Sequence, residues 1–530
     1  MGVALCGCSR HEPPADLTIV NSTEPESLDP ALIVAQADMR IVQGLFEGLT
    51  RLEPVKSQAV PGLAESWEIS PDGITYTFHL RTNLVWSTGE PITADDVVYS
   101  WHRALDPMTA SRYAGQLYSI TNAEQYNTGV IKDPSLVGVK ALDKYTVQVK
   151  LKSPTAFFLD LCAFPTLAVV PRQAIEKYGD HWLTHLPLPT DGAYELGEWR
   201  LNDKIRLVKN PRYWDATNTQ SAIIDFLPTS QANAALNLYE NGQVDVVWDK
   251  SLIPPELLDV LLKRPDFHSF GYLGTYFIRF NTTRKPFDDP RVRQALALAV
   301  DKQRIVERIT RAGEHITSHL VPDGTQNYTP PAGLDYDVER ARKLLAEAGY
   351  PGGKGFPPFE YLFDGAAGAG GGIHQSIAIE LQQQWRDALG IQMNLRQVET
   401  SVFWGMQSRL DYTLSRSSWI GDYNDANTFL GMFVTGDGNN ETGWGNPRYD
   451  DFVHEANETV DVKKRANLFQ QAETLLVSND VPIIPLYIYV GINYFDTNKV
   501  QGIWANVLDD HPLRSIRKVV RETKVEGREQ

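Results

Sequence analysis

The stretch Arg416–Phe429, RSSWIGDYNDANTF, brings a guanidinium (Arg416), an indole (Trp419), a carboxylate (Asp422) and a phenol (Tyr423) close together. These groups suit the gripping of a ligand. A carboxylate pairs with an ammonium, a guanidinium pairs with a carboxylate, and rings wall a pocket. A strand is predicted over Asp411–Ser415 and a helix near Asn427, which puts the four groups on a loop at a strand end, where binding residues concentrate. The same residues also fit a surface turn with a half-buried tryptophan, so the rest of the chain must decide.

Little else in the chain reads as chemistry. There is no HExxH, no GxSxG and no paired CxxC, and no nucleophile–base constellation, so neither an enzyme nor a metal or cofactor site is expected. Asp95–Asp96 could be an acid/base pair, but Thr93 just ahead makes them the first turn of a capped helix. Gly365–Gly372 (GAAGAGGG) lies between a predicted strand (Phe359–Phe363) and helix (Ile373–Ala388), as a dinucleotide fingerprint would. Ile373 stands where that fingerprint needs Gly or Ala, so a flexible loop is expected. Gly349–Gly355 (GYPGGKG) lacks the spacing and hydroxyl residue of a phosphate loop and reads as a turn.

At 530 residues the chain exceeds what one core organises, and two or three domains follow. A net charge of −16 argues against a nucleic-acid partner, which needs a basic footprint. Three cysteines, Cys6, Cys8 and Cys162, exclude a disulfide framework and a cysteine-rich zinc site. No run approaches the roughly 20 apolar residues of a membrane span. The segment Leu5–Cys8 (LCGC) is similar to a bacterial lipobox, with Cys8 as the acylated residue, ahead of a polar tether at Ser9–Ala15.

The elements that must position the grip alternate between strand and helix. Leu17 and Ile19 mark a strand. Met39, Val42, Leu45, Phe46 and Leu49 have helical spacing over Asp38–Leu49. Tyr76, Phe78 and Leu80 alternate with Thr77 and His79 as a half-buried strand, and Val244–Trp248 reads as a strand buried on both faces. Asp289 caps a helix with Pro290 in its first position, and Asp301 starts another. Such alternation points to α/β domains.

In order along the chain, LDP…LFEGL is followed by PGLAESW (61–67), YTFHLR (76–81) and TADDVVYSW (93–101). TDGAY (190–194), KNPRYW (209–214) and FNTTRKPFDDPRVRQALALAVD (280–301) come next. LLAEAGYPGG (344–353), LQQQW…LGIQMNL (381–395) and the gripping stretch complete the series. Over some 400 residues this resembles the extracellular solute-binding proteins of the oligopeptide and dipeptide class, the capture subunits of ABC importers. The resemblance implies a two-lobed α/β periplasmic-binding-protein fold of Venus-flytrap type with an extra third domain. Lobe I would comprise 16–48, 172–272 and 488–530, domain II 49–171, and lobe III 273–487. Two crossover hinges are expected near Gly271–Thr275 and Leu486–Gly491.

It further implies a monomeric receptor in the periplasm or cell envelope that captures short peptides between its lobes and hands them to an ABC permease. Membrane attachment would come only through a lipid on Cys8. Asp422 matches the residue that pairs with the peptide α-amino group. Backbone along Arg416–Ile420 and Ala31–Gln36 (Ser418, Ile420, Val34 and Gln36 among it) would add to the extended peptide as β-strands. Arg416, Arg311 and His374 match cations for the peptide carboxylate. Tyr113, Trp248, Asp249, Tyr276, Phe277 and Trp419 match pocket walls, with another wall from Phe403–Trp404. Asp249, Arg279 and Val34 depart from the residue types familiar at those positions, which bears on side-chain preference. A receptor of this fold for another solute, such as a cell-wall peptide, nickel chelate or haem, is the second reading.

Overall fold

The computed structural model describes residues 12–22, 24–365 and 369–519. Cys8, expected to carry a lipid, lies outside the described residues, as does part of the glycine-rich stretch 365–372.

A single sheet of 11 strands runs through most of the molecule. Its order is Met393–Val398, Phe359–Asp364, Leu414–Ile420, Phe267–Phe280, Ile483–Phe495, Val246–Trp248, Leu17–Val20, Ile223–Leu227, Lys204–Lys209 and Tyr194–Arg200. The eleventh, His315–Ile316, pairs with Ile483–Phe495 off this path. Two long central strands, Phe267–Phe280 and Ile483–Phe495, pair antiparallel and belong to both halves. The second is buried almost throughout, which matches its unbroken apolar run. Their register breaks where Gly271 faces Val490 and Thr275 faces Ile488. Extra residues on one strand bend and loosen the ladder there. That break lies in the segments expected as the crossovers.

On one side of the break, Leu17–Val20 lies parallel between Ile223–Leu227 and Val246–Trp248. Helix Gln36–Leu45 packs over a core of Ile19, Ile41, Tyr194, Phe226 and Trp248. On the other side, Phe280, Tyr361, Trp385 and Leu486 share one core, and Phe429, Phe433, Tyr449 and Phe469 share a second. A separate antiparallel sheet orders Ala64–Ile69, Thr75–Leu80, Thr146–Lys150 and Val139–Asp143. It has its own core around Phe78, Trp101 and Phe158. Thr75–Leu80 alternates between half-buried and buried residues, as its sequence predicts. No helix among the described residues is long and apolar enough to cross a membrane.

Local signals hold where a cap or a period is explicit. The Asp96 carboxylate accepts from the Thr93 N–H at 2.8 Å and closes a capping box, so the Asp95–Asp96 pair begins the helix Ala94–Leu105. Asp289 accepts from the Arg291 N–H, with Pro290 in the first helical position. Two expectations shift. The helix expected over Asp38–Leu49 is Gln36–Leu45, because Phe46 is already extended (φ −131°, ψ 146°). The strand expected to stop at Ser415 instead runs Leu414–Ile420. Its polar Arg-Ser-Ser run is held extended by a tertiary partner, the strand Phe267–Phe280.

Candidate binding cleft

Leu414–Ile420 is the scaffold of the site. One edge pairs with the long central strand from Leu414↔Phe280 through Ile420↔Gly274. Gly274 permits this approach: a Cβ there would sit 2.4 Å from Ile420 Cδ1 and 3.3 Å from the Trp419 carbonyl oxygen. The other edge is paired only at Leu414 and Ser415, with Tyr361 and Leu362. Gly421 N–H bonds to the Leu273 carbonyl at 2.7 Å, which fixes the phase of the ladder. Residues alternate in an antiparallel pair, so Ser417 and Trp419 bond inward while Arg416, Ser418 and Ile420 turn their backbone groups outward. Gln407 Nε2 caps the Arg416 carbonyl at 2.9 Å. Ser418 and Ile420 are left on an edge that no strand covers among the described residues.

Asp422 follows at the end of this strand. Its N–H donates to Thr428 Oγ1 at 3.2 Å, and its side chain lines a cavity of about 330 Å³. Val34, Gln36 and Arg40 line that cavity from the start of helix Gln36–Leu45, Tyr113 and Asp160 from segments next to Ala114 and Leu161 in the core of the separate sheet, and Tyr272 from strand Phe267–Phe280. Burial pushes the Asp422 carboxyl up to about 6, against a hydrogen bond from Gln116 that favours the ionised form. A carboxylate desolvated without a counter-ion gains from an incoming ammonium. Beside it, the Tyr423 ring stacks on Phe157 of the extra domain, with centroids 3.9 Å apart and planes 6° apart.

Val34, Gln36, Tyr113, Ile420 and Asp422 thus meet in one cavity. Asp249 lines a smaller adjoining one of about 130 Å³ with Gln36, Arg40, Tyr272 and Ile420. Trp419 lines an open hollow of about 430 Å³ that Asp422 and Tyr423 also line.

Several expected contacts are placed elsewhere. Trp248, Tyr276 and Phe277 are fully buried in three different cores, so they support the site and do not wall it. Arg416 is not an open cation: its Nε and Nη2 lie 2.7 and 2.6 Å from Asp364 Oδ1, and its guanidinium lies over Phe403 and Trp404. Those two rings, expected as another wall, therefore cover an internal ion pair. His374 sits against the same cluster, with Nδ1 3.4 Å from Tyr276 Oη and Nε2 3.9 Å from Asp364. Burial and then the Arg416 charge lower its pKa to about 4, so it is neutral at pH 7 and offers no cation. Arg311 is in a left-handed conformation (φ 53°) after a helical turn, with Nη1 3.1 Å from Asp259. Arg279 is buried against Glu441 and the Asn439 carbonyl, away from the cavity.

Sequence reasoning missed Arg40, Asp160, Tyr272, Asp509 and Asp510, all of which line the main cavity. Arg40 carried a signal. It precedes Ile41 and Val42 on the buried side of its helix, and an arginine there needs a partner or a purpose.

Residues 58–441 match the model of the bacterial extracellular solute-binding proteins, family 5. The chain belongs to that family. It is 34% identical over 481 residues to the periplasmic oligopeptide-binding protein OppA of Salmonella typhimurium, covering 89% of this chain and 86% of the relative. It is also 34% identical over 479 residues to the probable deoxycholate-binding periplasmic protein YgiS of Escherichia coli, covering 88% and 86%. Among solved structures it resembles the unliganded open form of the murein tripeptide-binding protein MppA, with a TM-score of 0.85 and 32% identity. That match covers 95% of this chain and 97% of the other. The alternation, the crossovers and the added sheet are those of a two-lobed solute-binding receptor with an extra domain.

Proposed function

We propose that the chain is an extracytoplasmic receptor that captures short peptides between its lobes and delivers them to an ABC permease, binding without making or breaking a bond. The observation that carries this reading is the junction of an open strand edge with a desolvated carboxylate. Ser418 and Ile420 offer backbone groups to an extended chain, and Asp422 waits where such a chain would place its ammonium. Main-chain pairing gives affinity indifferent to side chains, and the ammonium sets polarity. The relation to OppA supports peptides over the other solutes of this fold. The boundaries 16–48, 172–272 and 488–530 for lobe I, 49–171 for domain II and 273–487 for lobe III follow from the same reading. Closure would bring Val34 and Gln36 to the peptide from the facing lobe, so bound peptide favours the closed state through contacts absent in the open one.

The relation to YgiS gives a second reading, a steroid acid, on equal sequence identity. An unpaired carboxylate in the cavity disfavours an anionic ligand. Native mass spectrometry of protein purified without refolding separates the two. Co-purified masses spanning many short peptides are expected, and a single non-peptide mass would overturn the peptide reading.

A further inference from the structure

Residues 421–425, which carry Asp422, belong to no helix or strand. What fixes them comes from one helix, Val462–Thr474. Its buried stripe is Arg465, Leu468, Phe469, Ala472 and Glu473, so two opposite charges stand on one apolar face. Neither charge lines the main cavity. We propose that Arg465 and Glu473 are positioning residues that set the Asp422 carboxylate for the peptide ammonium. This rests on the peptide reading above and deepens it.

Arg465 acts on the Asp422 turn directly. Its Nη1 and Nη2 lie 2.6 and 2.8 Å from the two carboxylate oxygens of Asp425. Asp425 Oδ1 also accepts from the Asn427 N–H at 2.8 Å, which closes the turn behind Asp422. Arg465 is only 9% exposed and Asp425 only 6%, so solvent does not loosen the pair. Glu473 acts through a second segment. It is fully buried, and its Oε1 accepts the Leu320 and Val321 N–H groups at 2.7 and 2.8 Å. Its Oε2 accepts the Tyr328 hydroxyl at 2.5 Å. The segment held in this way reaches the same turn, where the Gln326 N–H donates to Asn424 Oδ1 at 3.0 Å. It also reaches the central strand, where Thr275 Oγ1 donates to the Leu320 carbonyl at 2.6 Å. Phe469 joins the two attachments, with its ring centroid 4.6 Å from Arg465 Cζ and its ring edge-on to Tyr328.

A buried ion pair stabilises a fold little more than well-packed apolar residues of the same volume. What the Arg465 fork adds is a fixed distance and orientation for Asp425, and through it for the turn. Asp422 and Asp425 lie three positions apart in that turn, and the bidentate guanidinium goes to Asp425. One carboxylate is therefore anchored while the other is presented to the cavity.

The test is calorimetry of trialanine against N-acetyl-trialanine on the whole protein, with each variant first checked for a cooperative melt. Wild type should prefer the free amine on the order of a hundredfold. Arg465→Met and Glu473→Gln should each narrow that ratio about tenfold or more, which is what losing one well-aimed hydrogen bond between charged groups costs. A merely structural role would weaken both ligands together and leave the ratio at its wild-type value. Where Arg465→Met does not fold, Arg465→Lys, with the charge but not the fork, takes its place, and Glu473→Asp does so for Glu473→Gln. An unchanged ratio in a folded variant at either position overturns the assignment. Equal affinity of the two ligands for wild type refutes the ammonium reading itself, and that outcome is distinct.

Discussion

Replacing Asp422 with Asn should move stability and binding in opposite directions. The half-buried carboxyl has no cation in salt-bridge range among the described residues, and desolvation lifts its pKa from 3.8 to about 6. At 1.36 kcal/mol per tenfold in proton affinity, that lift means an ionised Asp422 costs the empty protein about 3 kcal/mol at pH 7. A carboxyl that holds its proton more tightly folded than unfolded loses stability as pH rises from 4 through 6. Asp422→Asn removes that loss. The empty variant should therefore melt above wild type at pH 7, with the gap closing as pH falls below about 4. The ligand side has the reverse sign. An ammonium needs the ionised form, so wild-type affinity should fall about tenfold for each pH step below about 6, and Asp422→Asn should bind weakly at every pH. Differential scanning of empty protein from pH 4 to 7.5, with calorimetry on the same samples, reads both. A variant less stable than wild type at pH 7, or a gap independent of pH, would refute the desolvation argument.

Three further outcomes follow. Asp364→Asn leaves the Arg416 charge buried beside Phe403 and Trp404, so denaturant unfolding should show a loss of about 3–5 kcal/mol in the domain that carries it; an unchanged midpoint contradicts the ion-pair assignment. Phe157→Ala removes the ring under Tyr423 that ties the extra domain to the Asp422 loop, so small-angle scattering should report a more open empty protein. An unchanged radius of gyration would count against that tie. Expressed in a bacterium as an exported protein, the chain should incorporate a fatty-acid analogue that the Cys8→Ala variant does not, and equal labelling of both argues against acylation there.

How far the sequence revealed these features differs by kind of interaction. The Thr93–Asp96 box, the Asp289–Pro290 start and the alternation of Thr75–Leu80 depend on residues a few positions apart, and a sequence displays such relations directly. The strand through Arg416–Ile420 was partly hidden. Its polar residues carry no strand signal, and a partner more than a hundred positions away holds them extended. The placing of Asp422 at the strand end, on a cavity, was legible because it shares a short motif with its neighbours. The cations were misplaced for a physical reason: a motif gives residue type but not the partner that neutralises it. Arg416 reads as a free guanidinium until Asp364, 52 positions earlier, is seen against it. Arg40 was missed because nothing local shows that its helix carries it to the cavity, where its nearest carboxylate, Asp509, is more than 400 positions away in sequence.

The central claim is that a peptide is held by its ammonium on Asp422. Calorimetry of trialanine against N-acetyl-trialanine, on wild type and on Asp422→Asn, tests it most directly. Acetylation should cost wild type on the order of a hundredfold or more in affinity, as expected when one side of a buried pair is removed. The two changes delete one interaction from opposite sides, so in the variant the two ligands should bind alike. An acetylated peptide that binds wild type as tightly as the free one, or a variant that still discriminates between them, would show that the ligand is held some other way.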